Sequence, residues 1–162
     1  MAGPDRTSRR ATAYTLTGMI RSDHLSISQI AQLLAHNGYE VAEAGESVLR
    51  VRDLETGVTI QAVLQGSVLF LTVNLTTVLT AEITPEMMRK MLSGHNGIST
   101  SGFQLYDVGD GKTAITLNNF CTIQNMGDED EDDILSAVGY LKVDVLAARD
   151  LLHELHELAA AR

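Results

Sequence analysis

The C-terminal segment of this 162-residue chain carries an apolar periodicity that few folds accommodate. One series of apolar residues recurs at spacings of four and three: Ile134, Val138, Leu141, Val145, Ala148, Leu152 and Leu155. At about 100° per residue, a second series lies beside the first: Val143, Ala147, Leu151 and Leu158. Together they cover about half the circumference of a helix predicted over residues 133–159, about 40 Å long. A surface helix needs a narrower stripe, so we expect this helix to contact two surfaces.

The residues before this segment begin with a predicted helix and a β-meander. Ser26 and Gln29 have the spacing of a capping box, which marks a helix start. The pair Gly66-Ser67 is typical of a two-residue hairpin turn, and we expect Leu49 and Val51 to face the core. The predicted elements are a helix over residues 26–37 and strands over residues 48–52, 58–64 and 68–75.

A second helix and a hairpin are predicted next. Thr84-Pro85-Glu86 combines a cap, a first-turn proline and an acid, and Gly94 ends this short helix. Gly109-Asp110-Gly111 joins two predicted strands, over residues 102–108 and 112–123. We therefore predict an α+β fold of secretion chaperone-like type: helix, three-stranded meander, helix, β-hairpin and long C-terminal helix. It occupies residues 21–162 as a single domain, after a flexible tail of residues 1–20.

The net charge of −9 and the single cysteine narrow the classes of partner and compartment. An acidic surface repels phosphates, so we expect no nucleic-acid partner. Cys121 has no second cysteine with which to form a disulfide, which favours a reducing, cytoplasmic compartment. The longest apolar stretch, residues 68–79, is interrupted by Thr72 and Asn74. It is shorter than the ~20 residues of a membrane-spanning helix, so we expect no membrane insertion.

Four motifs with chemical associations each fail a requirement of that chemistry. Gly111-Lys112-Thr113 lacks the earlier glycine of a P-loop, and the acidic run 128–133 lacks the glycine and glutamate of an EF-hand. We interpret that run as acids at a helix start that complement the helix dipole and, by mutual repulsion, extend a solvated loop. The HELHE sequence at 153–157 is not the zinc-protease pattern, and Cys121 has no histidine near it in sequence. We assign no catalytic residue, no cofactor and no metal site, and predict that the chain is not an enzyme.

The order of elements, the acidic character and the long last helix resemble the YbjN and type III secretion chaperone-like fold, over about residues 26–159. The similar segments are NGYEV at 37–41, GFQLYDVGDGKTAITL at 102–117 and DILSAVGYLKVDVLAARDLL at 133–152. The last segment also resembles the uncharacterised bacterial YjfI-like family, whose members are often encoded beside membrane-stress proteins. The resemblance implies a dimeric or partner-binding module without a cofactor. Secretion chaperones wrap an extended effector segment along hydrophobic grooves.

These observations predict a protein-binding module, chaperone-like or adaptor, that acts as a homodimer or in a complex. Val143, Ala147, Leu151 and Leu158 are the predicted contacts with the partner or the second copy. One alternative is a small-molecule or metal-binding regulatory domain linked to envelope stress, using the acidic run 128–133 or the HELHE sequence. Another is an enzyme whose residues converge only in space, around Cys121 or a histidine.

Overall fold

The computed structural model describes residues 25–161, which form three α-helices and one six-stranded antiparallel sheet. The predicted tail of residues 1–20 lies outside the described residues. In chain order the elements are α1 (Ile27–His36), β1 (Tyr39–Gly45), β2 (Val48–Asp53), β3 (Thr59–Gln65), β4 (Val68–Leu79), a 3₁₀ turn (Thr80–Glu82), α2 (Pro85–Leu92), β5 (Gly102–Gly109), β6 (Lys112–Thr122) and α3 (Asp128–Ala160). The predicted α+β class and the long C-terminal helix are confirmed.

Local signals set the start of the two shorter helices. Ser26 forms the predicted capping box with Gln29 at the start of α1. Thr84 accepts a hydrogen bond from the Met87 backbone N–H at the start of α2, with Pro85 in the first turn. These caps satisfy backbone N–H groups that have no partner within the helix. They can be predicted from the sequence because the capping residue and the N–H that it bonds are three positions apart.

The sheet has the strand order β1-β2-β3-β4-β6-β5, and all its pairs are antiparallel. The predicted turn at Gly66-Ser67 joins β3 to β4, and Gly66 has a positive φ of 60° that suits such a turn. The hairpin predicted at 102–123 is β5 and β6. The meander has one more strand than predicted: β1, which was not predicted, pairs with β2 at the sheet edge. This strand escaped prediction since most of its residues are exposed and it lacks a sustained apolar alternation.

The sheet has one face covered by helices and one open face. Leu49 and Val51 point to the covered face, as predicted, and are fully buried there. The same core contains Leu71, Leu117 and Leu141, so α3 packs against the middle of the sheet. Met87, Met91, Ile115 and Leu155 form a smaller cluster, into which α2 packs. The alternation of the strands leaves their other side chains, including Arg50 and Phe70, on the open face.

The helix α3 begins at Asp128 rather than at residue 133, so the helix-dipole part of the interpretation of the acidic run is confirmed and the solvated-loop part is wrong. Its 33 residues make it about 50 Å long at ~1.5 Å per residue, longer than the predicted 40 Å. Four acids occupy its first turn, where the positive end of the helix dipole stabilises negative charge. Within residues 25–161, no helix combines the length and the apolar character needed to cross a membrane.

Truncation of a core residue of α3 tests this packing. Leu141 is fully buried, whereas Leu146 on the same helix is 46% exposed. We expect Leu141→Ala to lower the free energy of unfolding by about 2–5 kcal/mol, because it removes buried methyl groups and leaves a cavity. The control Leu146→Ala is expected to change it by less than about 0.5 kcal/mol. Urea denaturation of both variants measures the difference, and equal losses would contradict the packing of α3 described above.

Candidate interaction surface

The predicted contact residues of α3 lie along one side of the helix, beside its buried side. Val143 is 64% exposed and Leu158 is 53% exposed. Ala147 and Leu151 are half-buried and line a cleft against α2. Tyr140 was not predicted, yet it is 55% exposed and its spacing to Val143 and Ala147 places it on the same side. We call Tyr140, Val143, Ala147, Leu151 and Leu158 the α3 strip.

The cleft beside the α3 strip has a volume of about 740 Å³ and lies between α3 and the segment from α2 to Gly97. Ala147 and Leu151 supply its apolar lining from α3. Charged side chains line it from both sides: Glu86, Arg89 and Lys90 from α2, and Asp150 and Glu154 from α3. The cleft therefore combines an apolar surface with charges of both signs, which is the composition of many protein-binding grooves.

Asp144 holds the loop after α2 against α3. Its carboxylate is buried and accepts hydrogen bonds from the backbone N–H groups of Ser99, Thr100 and Ser101, at 2.9, 3.1 and 3.0 Å. The Ser99 hydroxyl also donates to it, at 2.9 Å. Burial raises the pKa of the Asp144 carboxyl, but the bonds from Ser99 and Thr100 outweigh it, and the pKa lies below its ordinary value. The loop beside the cleft is thus held by an ionised, buried side chain.

Asn96 orders the beginning of the same loop. Its side-chain amide donates to the Met91 carbonyl at 2.6 Å and its side-chain oxygen accepts from the Ile98 N–H at 2.9 Å. The residues that follow α2 are therefore bonded at both ends, to α2 through Met91 and to α3 through Asp144. A preformed cleft reduces the entropy lost when a partner binds.

Asp130 performs the equivalent role at the start of α3. It is 5% exposed, and its carboxylate accepts from the backbone N–H groups of Gln124, Asn125 and Met126 at 2.7–3.0 Å. Burial raises the pKa of the Asp130 carboxyl, but the hydrogen bonds from the loop lower it by more. The pKa therefore lies below its ordinary value. The acidic run therefore contains a structural residue and is not a uniform solvated segment.

Asp53 and Lys142 fix the other flank of α3. The Lys142 ammonium lies 3.0 Å from the Asp53 carboxylate and 5.2 Å from the centre of the Tyr39 ring. The Thr56 hydroxyl also donates to Asp53 and is the main cause of its lowered pKa. Because Tyr39 is in β1 and Asp53 ends β2, this contact ties α3 to the sheet edge that the sequence did not predict.

Of the other candidate residues, Glu154 of the HELHE sequence and the histidine His95 line this cleft, whereas His153, Glu157 and Cys121 do not. His153 lies 3.8 Å from Glu157 on an exposed part of α3, which is the i to i+4 spacing of a helix-surface pair. No group of three or more metal-ligating side chains occurs among residues 25–161. Cys121 is half-buried, and burial raises the pKa of its thiol to about 11, with smaller contributions from Asp133 and Asp130. At neutral pH this thiol is protonated and a weak nucleophile.

These features define an α+β protein in which an antiparallel sheet carries a long, multiply anchored C-terminal helix. YbjN from E. coli, a candidate transcription regulator, shares this fold with a TM-score of 0.62 and 13% identity, over 80% of this chain and 93% of YbjN. An uncharacterised protein from Methanothermobacter thermautotrophicus is similar with a TM-score of 0.51 and 14% identity, over 82% of this chain and 98% of its own.

No protein-family model and no curated protein matches this chain. The identities to the two solved structures are low, so the likeness shows the fold alone. The YbjN-like fold is confirmed, whereas the relations to secretion chaperones and to the YjfI-like family stay predictions.

The anchoring role of Asp144 predicts a pH-dependent loss of stability. We expect Asp144→Asn to lower the free energy of unfolding by about 2–4 kcal/mol, because a neutral amide replaces a buried carboxylate that accepts four hydrogen bonds. Asp150→Asn, at an exposed position of the same helix, is the control and should change it by less than about 0.5 kcal/mol.

The sign of the pH dependence follows from the lowered pKa of Asp144. A folded-state pKa below the unfolded value stabilises the protein above the unfolded pKa, near ~3.9, and this contribution disappears as the pH falls through the folded pKa. The gap between wild type and Asp144→Asn should therefore be constant from about pH 6 to 8 and shrink below about pH 4. Urea denaturation across this range measures it, and a gap that grew at low pH would refute the assignment.

Proposed function

We propose that this chain is a protein-binding module that holds an apolar segment of a partner along the α3 strip. The observation that supports it is the position of five apolar or aromatic residues along one side of α3, outside its packed side. A surface that keeps Tyr140, Val143 and Leu158 more than half exposed is typical of an interaction site. Burial of each such side chain contributes roughly 1.5–3 kcal/mol, so a few of them suffice for stable binding.

The length and the shape of the strip favour an amphipathic helix as the bound segment. From Tyr140 to Leu158 the helix rises about 27 Å at ~1.5 Å per residue, which matches a partner helix of about 18 residues. A helix that lies in a groove places its apolar residues at spacings of three and four along the groove. Arg89, Lys90, Asp150 and Glu154 would set the direction of the segment through charge pairing.

An adaptor or chaperone-like role follows from this surface, and we propose that the chain acts without catalysing a reaction. The protonated thiol of Cys121 supports this, because it removes the one cysteine as a ready nucleophile. The single cysteine also supports a reducing, cytoplasmic compartment.

A charge on the α3 strip should abolish partner binding without unfolding the domain. Val143 is exposed, so Val143→Asp is expected to leave the free energy of unfolding within about 1 kcal/mol of wild type. In the complex the same carboxylate would be buried against apolar groups, and we expect the affinity to fall at least about 100-fold. The measurement is affinity purification from the native cell, followed by titration calorimetry with the purified partner.

The matched control is Val108→Asp, since Val108 in β5 is 54% exposed and lies outside the α3 strip. This variant should retain the partner with wild-type affinity. A partner retained by Val143→Asp and by Leu158→Asp alike would refute the proposal. Loss of the partner by both Val143→Asp and Val108→Asp would also refute the proposal, because that pattern indicates a general effect of added charge.

A further inference from the structure

The open face of the sheet presents a second apolar surface, opposite the helices. Phe70 and Phe120 lie directly across from each other on β4 and β6, with ring centroids 6.4 Å apart. Phe120 is 64% exposed, Phe70 is 41% exposed and Tyr106 of β5 is 47% exposed. A shallow cleft of about 700 Å³ runs over these rings, also lined by Val63, Gln104 and Asn118. Within residues 25–161, the helices pack on the other side of the sheet.

The charge of the open face differs from that of the whole chain. The strands contain four acidic residues, and their register places Glu43, Asp53 and Asp107 on the helix-covered side. Only Glu40 falls on the open face, where it lies 3.8 Å from Arg52. The centre of the face, around the phenylalanines, is uncharged. Arg50 and Arg52 also lie on the open face, so the face holds more arginine than acid, and two copies of a chain of net charge −9 bring few acids together when they meet through it.

Polar side chains at the centre of the open face are already paired with one another. The Thr72 hydroxyl donates to the Asn118 side-chain oxygen at 2.6 Å, and the Asn118 amide donates to the Thr116 hydroxyl at 2.8 Å. Burial of these groups therefore leaves few hydrogen-bonding groups without a partner, which lowers the cost of covering them with another protein surface.

The dimensions of the open face suit a dimer interface. Six strands spaced ~4.8 Å apart, each paired over about seven residues of ~3.4 Å, give a surface of about 29 by 24 Å. That is about 700 Å² before side-chain relief is added, close to the ~800 Å² that each partner of a standard interface buries. A face of this size has room for a second sheet of the same kind.

We propose that a second copy of this chain packs on the open face, with the two sheets face to face and Phe70 and Phe120 at the centre. The sheets would lie ~10 Å apart, as in a β-sandwich, and the rings of the two copies would interleave. This assigns the expected homodimer contact to the sheet rather than to α3. The assignment does not rest on the proposed function, and it leaves the α3 strip free for a different partner.

Sedimentation equilibrium of the full chain tests the proposal. The wild type should have twice the chain mass of 17.5 kDa. Phe120→Asp would place two carboxylates near each other in the dimer centre, and we expect dimer dissociation to rise roughly 100-fold. Phe120→Leu keeps the apolar contact and should stay dimeric. Val143→Asp on the α3 strip should also stay dimeric, although the proposed function predicts that it loses the partner.

Circular dichroism shows whether Phe120→Asp still folds. A second variant tests the same interface in case it does not. The double change Gln65→Glu and Gln104→Glu alters two exposed positions of the uncharged centre of the open face with little change of shape. It should also dissociate the dimer, and more strongly at low salt. A monomeric wild type at about 100 µM, or a dimer that resists both open-face changes, would overturn the proposal. A dimer dissociated by Val143→Asp alone would move the interface to the α3 strip.

Discussion

Two buried carboxylates hold α3 at points fourteen residues apart, Asp130 at its start and Asp144 near its middle. Each accepts backbone hydrogen bonds from a loop that also packs an apolar side chain on the core, Ile98 in one loop and Met126 in the other. An ionised carboxylate without such donors is costly to bury, so helix and loop depend on each other. The loop over residues 99–101 follows the segment that lines the cleft beside the α3 strip, so its attachment to Asp144 fixes where that segment ends.

A sheet covered on one side only leaves this domain with two surfaces of different chemistry. On the covered side, the apolar stripe of α3 is wider than the surface that the sheet can bury, so Val143 and Leu158 remain exposed. On the open side, the strand alternation produces a flat face with phenylalanines at its centre and no charge near them. The first surface is a groove with charges of both signs and suits an unlike partner. The second has an uncharged, apolar centre, and suits a second copy of the same chain.

The sequence predicted the elements whose signals are local. Ser26 with Gln29, Thr84 with Pro85, and the two glycine-containing hairpin turns each satisfy backbone groups within a few residues, so their effect can be read without the fold. Strand β1 was missed because an edge strand is held by hydrogen bonds to β2 and not by its own apolar pattern. The start of α3 was missed because six adjacent acids resemble a solvated loop, unless one of them has backbone donors from a loop that folds back.

The candidate surface was half predictable for a related reason. Helical spacing alone placed Val143, Ala147, Leu151 and Leu158 on one side, but it does not distinguish a residue in the open from one that lines a cleft. Asp144 carried a signal that sequence reasoning passed over, since its helical angle lies about 40° from that of the buried Ala148, on the packed side, and an unpaired acid there would be prohibitively costly. A charged residue inside an apolar stripe therefore predicts a loop that supplies hydrogen-bond donors. Here the loop over residues 99–101 supplies them, and so fixes α3 beside the segment after α2 that lines the cleft.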